Sequence, residues 1–140
     1  MKKHVLFLAC IIAYTCTFAQ VQTPTDSTDE NFVYFTVDEE AKFPGGLNGW
    51  KNFLERNLNA DAPRRDGAKF GVYPVVVQFI VDKNGLVSNV KAIDGKPDCP
   101  SCMVEAARVI RKGPKWIPAK HKGQPVKYQA YQRITFLLDQ

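Results

Sequence analysis

The chain has 140 residues, a length that favours a single small domain. Its hydrophobic fraction of 45% is ordinary for a globular protein, and no segment reaches the roughly 18–20 apolar residues that a membrane-spanning helix needs. The formal net charge of +5 is basic, but we expect no nucleic acid partner, because the N-terminus predicts export from the cell interior.

The N-terminus is organised like a secretory signal. A short basic region at residues 2–4 precedes an apolar stretch at residues 5–18, and Thr17-Phe18-Ala19 places small residues where signal peptidase cleaves. We predict that residues 1–19 are a cleaved signal peptide and that the protein is exported to the periplasm. The alternative is an uncleaved segment that anchors the chain in the inner membrane.

Residues 20–40 form a leader in this interpretation. Thr, Ser and Asp dominate its first part without any apolar period, which favours disorder. Residues 32–37 are rich in aromatic and β-branched residues and predict a short strand that packs on a sheet edge.

A first helix follows the chain break at Phe43-Pro44-Gly45-Gly46. Apolar residues then recur mostly at spacings of three and four, which predicts one apolar stripe on an amphipathic helix. The helix ends before Pro63, because proline disfavours helical geometry in the preceding residue, and residues 64–71 are expected to form an exposed loop. The stripe consists of Leu47, Trp50, Phe53, Leu54 and Leu58.

The clearest strand signal is at residues 75–81, where alternate residues are large and apolar. Asp82-Lys83-Asn84-Gly85 supplies a hairpin turn, because Asn-Gly accepts positive φ angles. Residues 86–93 form the returning strand. The residues predicted to share the buried face are Val75, Val77, Phe79 and Val81.

The C-terminal part of the chain predicts one more helix and one more strand. The helix covers residues 101–112 and is stopped by Gly113-Pro114. A Lys-rich turn containing Gly123 leads to a long β-prone run at residues 126–138.

The predicted order of elements is helix, strand, strand, helix, strand. A hairpin followed by a helical crossover returns the last strand beside the first hairpin strand, with a right-handed connection. The predicted fold is therefore α+β: a small three-stranded antiparallel sheet in the order 2–1–3, with two helices on one face. The C-terminal strand is then an open edge.

Several short motifs occur in a fixed order along residues 41–138. They are Phe43-Pro44-Gly45-Gly46, Asp82-Lys83-Asn84-Gly85, Ala106-Ala107-Arg108-Val109-Ile110, Pro114-Lys115-Trp116-Ile117-Pro118-Ala119, Gly123-Gln124-Pro125-Val126 and Ile134-Thr135-Phe136. In this order they resemble the C-terminal domain of TonB-type energy transducers, in the version typical of Bacteroidetes-type bacteria. We assign residues 41–140 to such a domain.

The resemblance implies a binding domain and not an enzyme. Domains of this kind take up a short extended segment of an outer-membrane receptor, the TonB box, as an added strand in energy-coupled uptake. The partner would be such a receptor segment or another envelope protein, and the same edge could pair two copies as a homodimer. The residues expected to form the binding edge are Tyr128, Ala130, Tyr131, Arg133, Thr135 and Leu137.

The other motif residues are interpreted as structural. Adjacent glycines before a helix permit backbone angles that are closed to other residues, and Trp116 is expected to cap the core between helix and sheet. The residues in this group are Phe43, Pro44, Gly45, Gly46, Trp116, Pro118 and Gly123.

Two features differ from a full energy transducer. Such a transducer keeps a membrane anchor and a long spacer, whereas residues 20–30 reach only about 35–40 Å when fully extended. Arg133 also stands where many relatives of this type carry Pro. A stand-alone binding module without a role in energy transduction is therefore an alternative.

Removal of the signal leaves two cysteines, in Cys99-Pro100-Ser101-Cys102. In an oxidising compartment they are expected to form a disulfide. A C-x-x-C at a helix N-terminus is also the arrangement of thiol–disulfide oxidoreductases. An envelope redox protein with Cys99 as the nucleophile is therefore a second functional hypothesis.

Basic residues are concentrated between Arg111 and Lys127, with His121 among them. They form either a solvated helix end and turn, which is the simpler interpretation, or a patch for acidic receptor segments or anionic envelope polymers. A metal site of Cys99, Cys102, His121 and a carboxylate would lack a second paired motif. No catalytic residues, no metal and no cofactor are predicted.

Overall fold

The computed structural model describes residues 31–139, so the predicted signal peptide and the first part of the leader lie outside the described residues. The elements are α1 (Gly46–Asn57), α2 (Ala62–Arg65), β1 (Gly71–Val81), β2 (Val87–Gly95), α3 (Pro100–Lys112), β3 (Ala119–His121), β4 (Gln124–Val126) and β5 (Tyr128–Leu138). Strands β2, β1 and β5 form an antiparallel sheet in that order, and β3 pairs with β4 in a separate hairpin. The α+β class and the predicted 2–1–3 order are confirmed. Residues 31–139 contain no helix that is long and apolar enough to cross a membrane.

The core lies between one face of the sheet and helix α3. In β1 the residues at odd positions from Tyr73 to Val81 are buried, as the alternation predicted. The antiparallel register places Ile134 of β5 opposite Val75, so the two strands contribute matching rows to the core. Helix α3 covers these rows with Cys102, Ala106, Ala107, Val109 and Ile110.

The turn between β1 and β2 is fixed against Trp116. The Asp82 carboxylate accepts hydrogen bonds from the N–H groups of Asn84 and Leu86, both at 2.8 Å. Gly85 has a φ angle of +82°, and its carbonyl accepts a hydrogen bond of 2.9 Å from the N–H of Trp116. A Cβ atom on Gly85 would lie 2.0 Å from the carbonyl oxygen of Trp116. Only glycine fits this contact.

Helix α1 is held by one aromatic cluster. None of its residues is fully buried. The ring centroids of Trp50 and Phe53 lie 5.1 and 5.2 Å from that of Phe43, and Trp50 lies 6.1 Å from Trp116. Leu47, which belongs to the predicted apolar stripe, is 87% exposed. The stripe is therefore only partly used for packing.

Three local predictions are wrong. The strand expected at residues 32–37 is reduced to one bridge, in which Tyr34 pairs in parallel with Tyr128. The expected loop at residues 64–71 is shortened by α2 at one end and by the start of β1 at the other. The Lys-rich turn contains the β3–β4 hairpin, whose strands of three residues each are too short to give a periodic signal.

Candidate functional site

The outer edge of β5 is the side of that strand that faces away from β1. Tyr34 marks this side, because its N–H donates to the carbonyl of Lys127 at 2.8 Å and its carbonyl accepts from the N–H of Gln129 at 3.0 Å. Backbone groups of a strand change direction with a period of two residues. Four further residues therefore direct their N–H and C=O groups to the outer edge, and these are Tyr131, Arg133, Thr135 and Leu137.

This outer edge is bare beyond Tyr34. Within the described chain, β5 has β1 as its only neighbouring strand, and Tyr34 forms the one bridge on its other side. The register between β1 and β5 continues along all of β5 without a shift. The stretch from Tyr131 to Leu137 is therefore a regular row of backbone groups without a partner strand, about 20 Å long at the usual rise of a strand. Within this row the carbonyl of Arg133 accepts a hydrogen bond of 3.0 Å from the Gln132 side chain. Such a row is a template for pairing with another strand.

The six residues predicted for the binding edge divide into two groups. The four at positions 131, 133, 135 and 137 have exposed side chains as well as outward backbone groups. Tyr128 and Ala130 have buried side chains, and their backbone groups point towards β1. Burial raises the pKa of Tyr128, and the nearby carboxylate of Glu40 adds to this shift. These two residues are therefore part of the core and not of the edge.

The segment before α1 crosses from β5 to the β3–β4 hairpin. After Tyr34 it forms antiparallel bridges from Glu39 to Lys120 and from Lys42 to Ile117. It therefore covers the first residues of the outer edge and then turns away from the strand, which leaves a gap beside the middle of β5.

This gap is an apolar groove, which we call the edge groove and define by Phe43, Leu47, Trp50, Trp116 and Gln132. Its main cavity has a volume of about 260 Å³, and a neighbouring cavity of about 180 Å³ shares Trp116 and Gln132 with it. Gln132 belongs to the row of β5 that faces the helices, and it is the one residue of that row that is not buried. The edge groove is therefore continuous with the bare edge. The sequence did not predict this groove, because the apolar stripe of α1 indicated residues buried in the core and not residues that line an open groove.

Trp116 lies at the base of the groove. It is 7% exposed, and its ring centroid lies 4.9 Å from that of Phe79 in the sheet and 5.6 Å from that of Phe43. Edge-to-face contacts of this kind add to the free energy gained from burial. The residue joins the sheet to α1 and so sets the depth of the groove.

The remaining motif residues shape the backbone. Gly45 and Gly46 have φ angles of +79° and +62° at the start of α1, and Gly123 has a φ angle of +77° between β3 and β4. Pro44 directly precedes this glycine pair, and Pro118 directly precedes β3. The three glycines therefore adopt backbone angles that are rarely open to other residues.

Cys99 and Cys102 form a disulfide at the start of α3. Both residues are 1% exposed. Ser101, between them, donates hydrogen bonds from its N–H and its hydroxyl to the carboxylate of Asp66, both at 2.8 Å. Thiol–disulfide exchange requires that a thiolate reach one of the sulfur atoms. The burial of both sulfurs therefore favours a structural disulfide over redox catalysis.

Glu105 is the one buried charged residue among residues 31–139, and sequence reasoning missed it. Its carboxylate accepts hydrogen bonds from the Arg108 guanidinium at 2.6 and 2.8 Å and from the N–H of Asn59 at 2.7 Å. Arg108 also donates to the carbonyl of Asn57 at 2.7 Å. The Arg108 hydrogen bonds hold the pKa of Glu105 below its usual value, although burial opposes this shift. A carboxylate kept ionised in this way ties α3 to the end of α1 and is not poised for acid–base chemistry.

The basic stretch is partly neutralised by the segment before α1. Lys120 lies 3.6 Å from the carboxylate of Glu39, and His121 lies 3.6 Å from that of Asp38. In the part of the chain that the structure describes, no group of three His, Cys, Asp or Glu side chains could hold a metal ion. The solvated interpretation of the basic stretch is the better supported one.

The fold and the bare edge define a small α+β domain of the kind that can bind proteins by strand addition. Residues 74–138 match the family described as Gram-negative bacterial TonB protein C-terminal. This match supports the assignment of residues 74–138 to the TonB C-terminal domain family, whose members are protein-interaction domains of the cell envelope. The match includes β2, α3 and β5, whereas α1 precedes it. No curated protein and no solved structure matches the chain.

Proposed function

We propose that this protein is a periplasmic domain that captures a short extended segment of a TonB-dependent outer-membrane receptor in energy-coupled uptake. The segment joins the sheet as an additional strand along the outer edge of β5. The observation that carries the proposal is the bare, regular row of backbone groups from Tyr131 to Leu137. Strand addition requires such donors and acceptors in line without a partner strand. The side chain of Gln132, which donates to the Arg133 carbonyl, is displaced when the added strand binds. The predicted cleavage of residues 1–19 would deliver the domain to the compartment in which receptor segments are exposed.

Backbone pairing alone would give weak capture. A hydrogen bond contributes a net of about 0.5–1.5 kcal/mol, whereas association of two molecules costs at least about 4 kcal/mol in lost translational and rotational freedom. A row of four outward residues therefore supports reversible binding, with a Kd that we expect in the micromolar range or above. Tighter or more selective capture requires side-chain contacts beside the edge.

The edge can be blocked without breaking the sheet. The N–H of Thr135 points outward, so Thr135→Pro removes one donor of the outer edge and no hydrogen bond to β1. Thr135→Val keeps the N–H and the β-branched shape and is the matched control. We expect Thr135→Pro to lower the affinity for synthetic ten-residue peptides from receptor N-terminal segments at least about ten-fold, and Thr135→Val to change it less than two-fold. Fluorescence anisotropy of labelled peptides measures both.

Unchanged peptide affinity in a folded Thr135→Pro variant would overturn the proposal. Circular dichroism and the thermal midpoint show whether the variant is folded. Sedimentation of the unliganded protein tests pairing of two copies through the same edge, because a homodimer of this kind would also be disrupted by Thr135→Pro and preserved in Thr135→Val.

A further inference from the structure

The edge groove lies where an added strand would place one of its two rows of side chains. Successive side chains of a strand point to opposite faces of the sheet. In an added strand, the residue opposite Gln132 therefore points to the same face as Gln132, which is the face covered by the helices. At this position the face is open, because the cavity of about 260 Å³ replaces the packed core.

One residue of the groove wall, Leu47, is apolar without a structural need. Leu47 is 87% exposed although it belongs to the apolar stripe of α1. Exposed leucine on a helix that buries none of its own residues adds little to stability. Trp50 and Trp116 complete the wall, and large aromatic side chains of this kind are typical anchors of binding pockets.

We infer that the edge groove is a specificity pocket for one large apolar side chain of the captured strand. The inference rests on the proposed function, because the bare edge positions the strand and the groove then receives its side chain. The occupant is a leucine- or phenylalanine-sized residue at the position opposite Gln132, since aliphatic and aromatic side chains match the apolar walls. Helix α1, which supplies Leu47 and Trp50, lies outside residues 74–138, so the pocket adds to the part of the domain that matches the family.

The test uses nine-residue threonine peptides with one central residue, which is Ala, Leu or Phe. Threonine favours extended backbone, and the central residue alone can fill the groove. The chain contains two tryptophans, and both line the groove, so intrinsic fluorescence reports occupancy directly. Burial of a leucine side chain is worth about 1.5–3 kcal/mol, so we expect the Leu and Phe peptides to bind about ten-fold more tightly than the Ala peptide.

Leu47→Ser removes one apolar wall at a position where folding does not depend on it. We expect this variant to bind all three peptides with affinities within about two-fold of one another, while its affinity for the Ala peptide is unchanged. Val104→Ser is the matched control, because Val104 is 69% exposed on α3 and lines no part of the edge groove. That variant should keep the full preference for Leu and Phe.

Four outcomes separate this inference from the proposed function. Equal affinities for the three peptides, with binding lost in Thr135→Pro, overturn the pocket and leave edge pairing intact. A preference for Leu that persists in Leu47→Ser also overturns the pocket. A preference that survives Thr135→Pro shows binding without strand addition and overturns both, as does the absence of binding by every peptide.

Discussion

The two edges of the sheet differ in how they are protected. Strand β2 has two register shifts against β1 and a positive φ angle of 50° at Asn89. The carbonyl of Val90 also accepts a hydrogen bond from Arg111 at 3.0 Å. Strand β5, in contrast, has no shift over its eleven residues, and among residues 31–139 only Tyr34 forms a bridge on its outer side.

This difference indicates that β2 is the edge protected against pairing with further strands, whereas β5 is left open to such pairing. Bulges and side chains that occupy edge carbonyls are recognised ways of preventing edge-to-edge association. Both are present on β2. Around positions 131–137 the described residues show no bulge, and one edge carbonyl, that of Arg133, accepts a hydrogen bond of 3.0 Å from the Gln132 side chain. If this division is correct, substitutions on the β2 side should change stability and leave capture of the Leu peptide unchanged. The three predictions below run from the largest effect on stability to the smallest, and the second of them tests that separation directly.

Gly85→Ala should be the most destabilising change. It forces a Cβ atom to within 2.0 Å of the Trp116 carbonyl oxygen at a φ angle of +82°, and we expect a loss of more than about 3 kcal/mol in the free energy of unfolding. Gly123→Ala is the control, because it has a similar φ angle of +77° but no atom within 4 Å. It should cost only about 1–2 kcal/mol. Urea unfolding followed by tryptophan fluorescence measures both, and equal losses would contradict the steric argument.

Replacing both cysteines, as Cys99→Ser with Cys102→Ser, should lower the free energy of unfolding by about 2 kcal/mol, because the disulfide closes a short loop in the unfolded chain. Dithiothreitol should destabilise the natural protein and have no effect on the double variant. Capture of the Leu peptide should be the same in both. Reduction of insulin by the natural protein would instead restore the redox hypothesis.

Glu105→Gln should lower the free energy of unfolding by about 1–2 kcal/mol at pH 7, because it weakens charge-assisted hydrogen bonds. The pKa of Glu105 in the folded state lies below its value in the unfolded state. Its stabilising contribution is therefore complete above the unfolded value of about 4.3 and is lost as the pH falls through the folded value. The difference between the two proteins should shrink below about pH 4. Glu55→Gln, at an exposed pair with Lys51, should have almost no effect.

The sequence was informative about the sheet because its pattern is periodic. Alternating apolar residues gave the buried face of β1, and the Asp82–Gly85 turn gave the hairpin, so the strand order and the open edge followed from connection rules. The side of β5 that faces outward could not be assigned in this way. That assignment depends on which alternate residues of β5 direct their N–H and C=O groups away from β1. The two backbone hydrogen bonds of Tyr34 identify these residues.

The edge groove escaped prediction for a different reason. An apolar stripe on a helix indicates that something covers it, but does not say whether the cover is the core or a ligand. Leu47 satisfies the period and yet stays exposed, because the contacts of α1 with the aromatic cluster are made by Trp50 and Phe53. Glu105 and Arg108 form an (i, i+3) pair that is common on solvent-facing helix surfaces, so the burial of Glu105 had no signal in the sequence.

The two-residue repeat of the pleated backbone limits which residues of a partner segment this domain can recognise. A bound segment that slips by one residue exchanges all of its side chains between the two faces. Only displacements by an even number of residues preserve the side chains that meet the helices. Different partners could thus differ freely at every second position and still be accepted, and a consensus among them would have gaps at alternate positions.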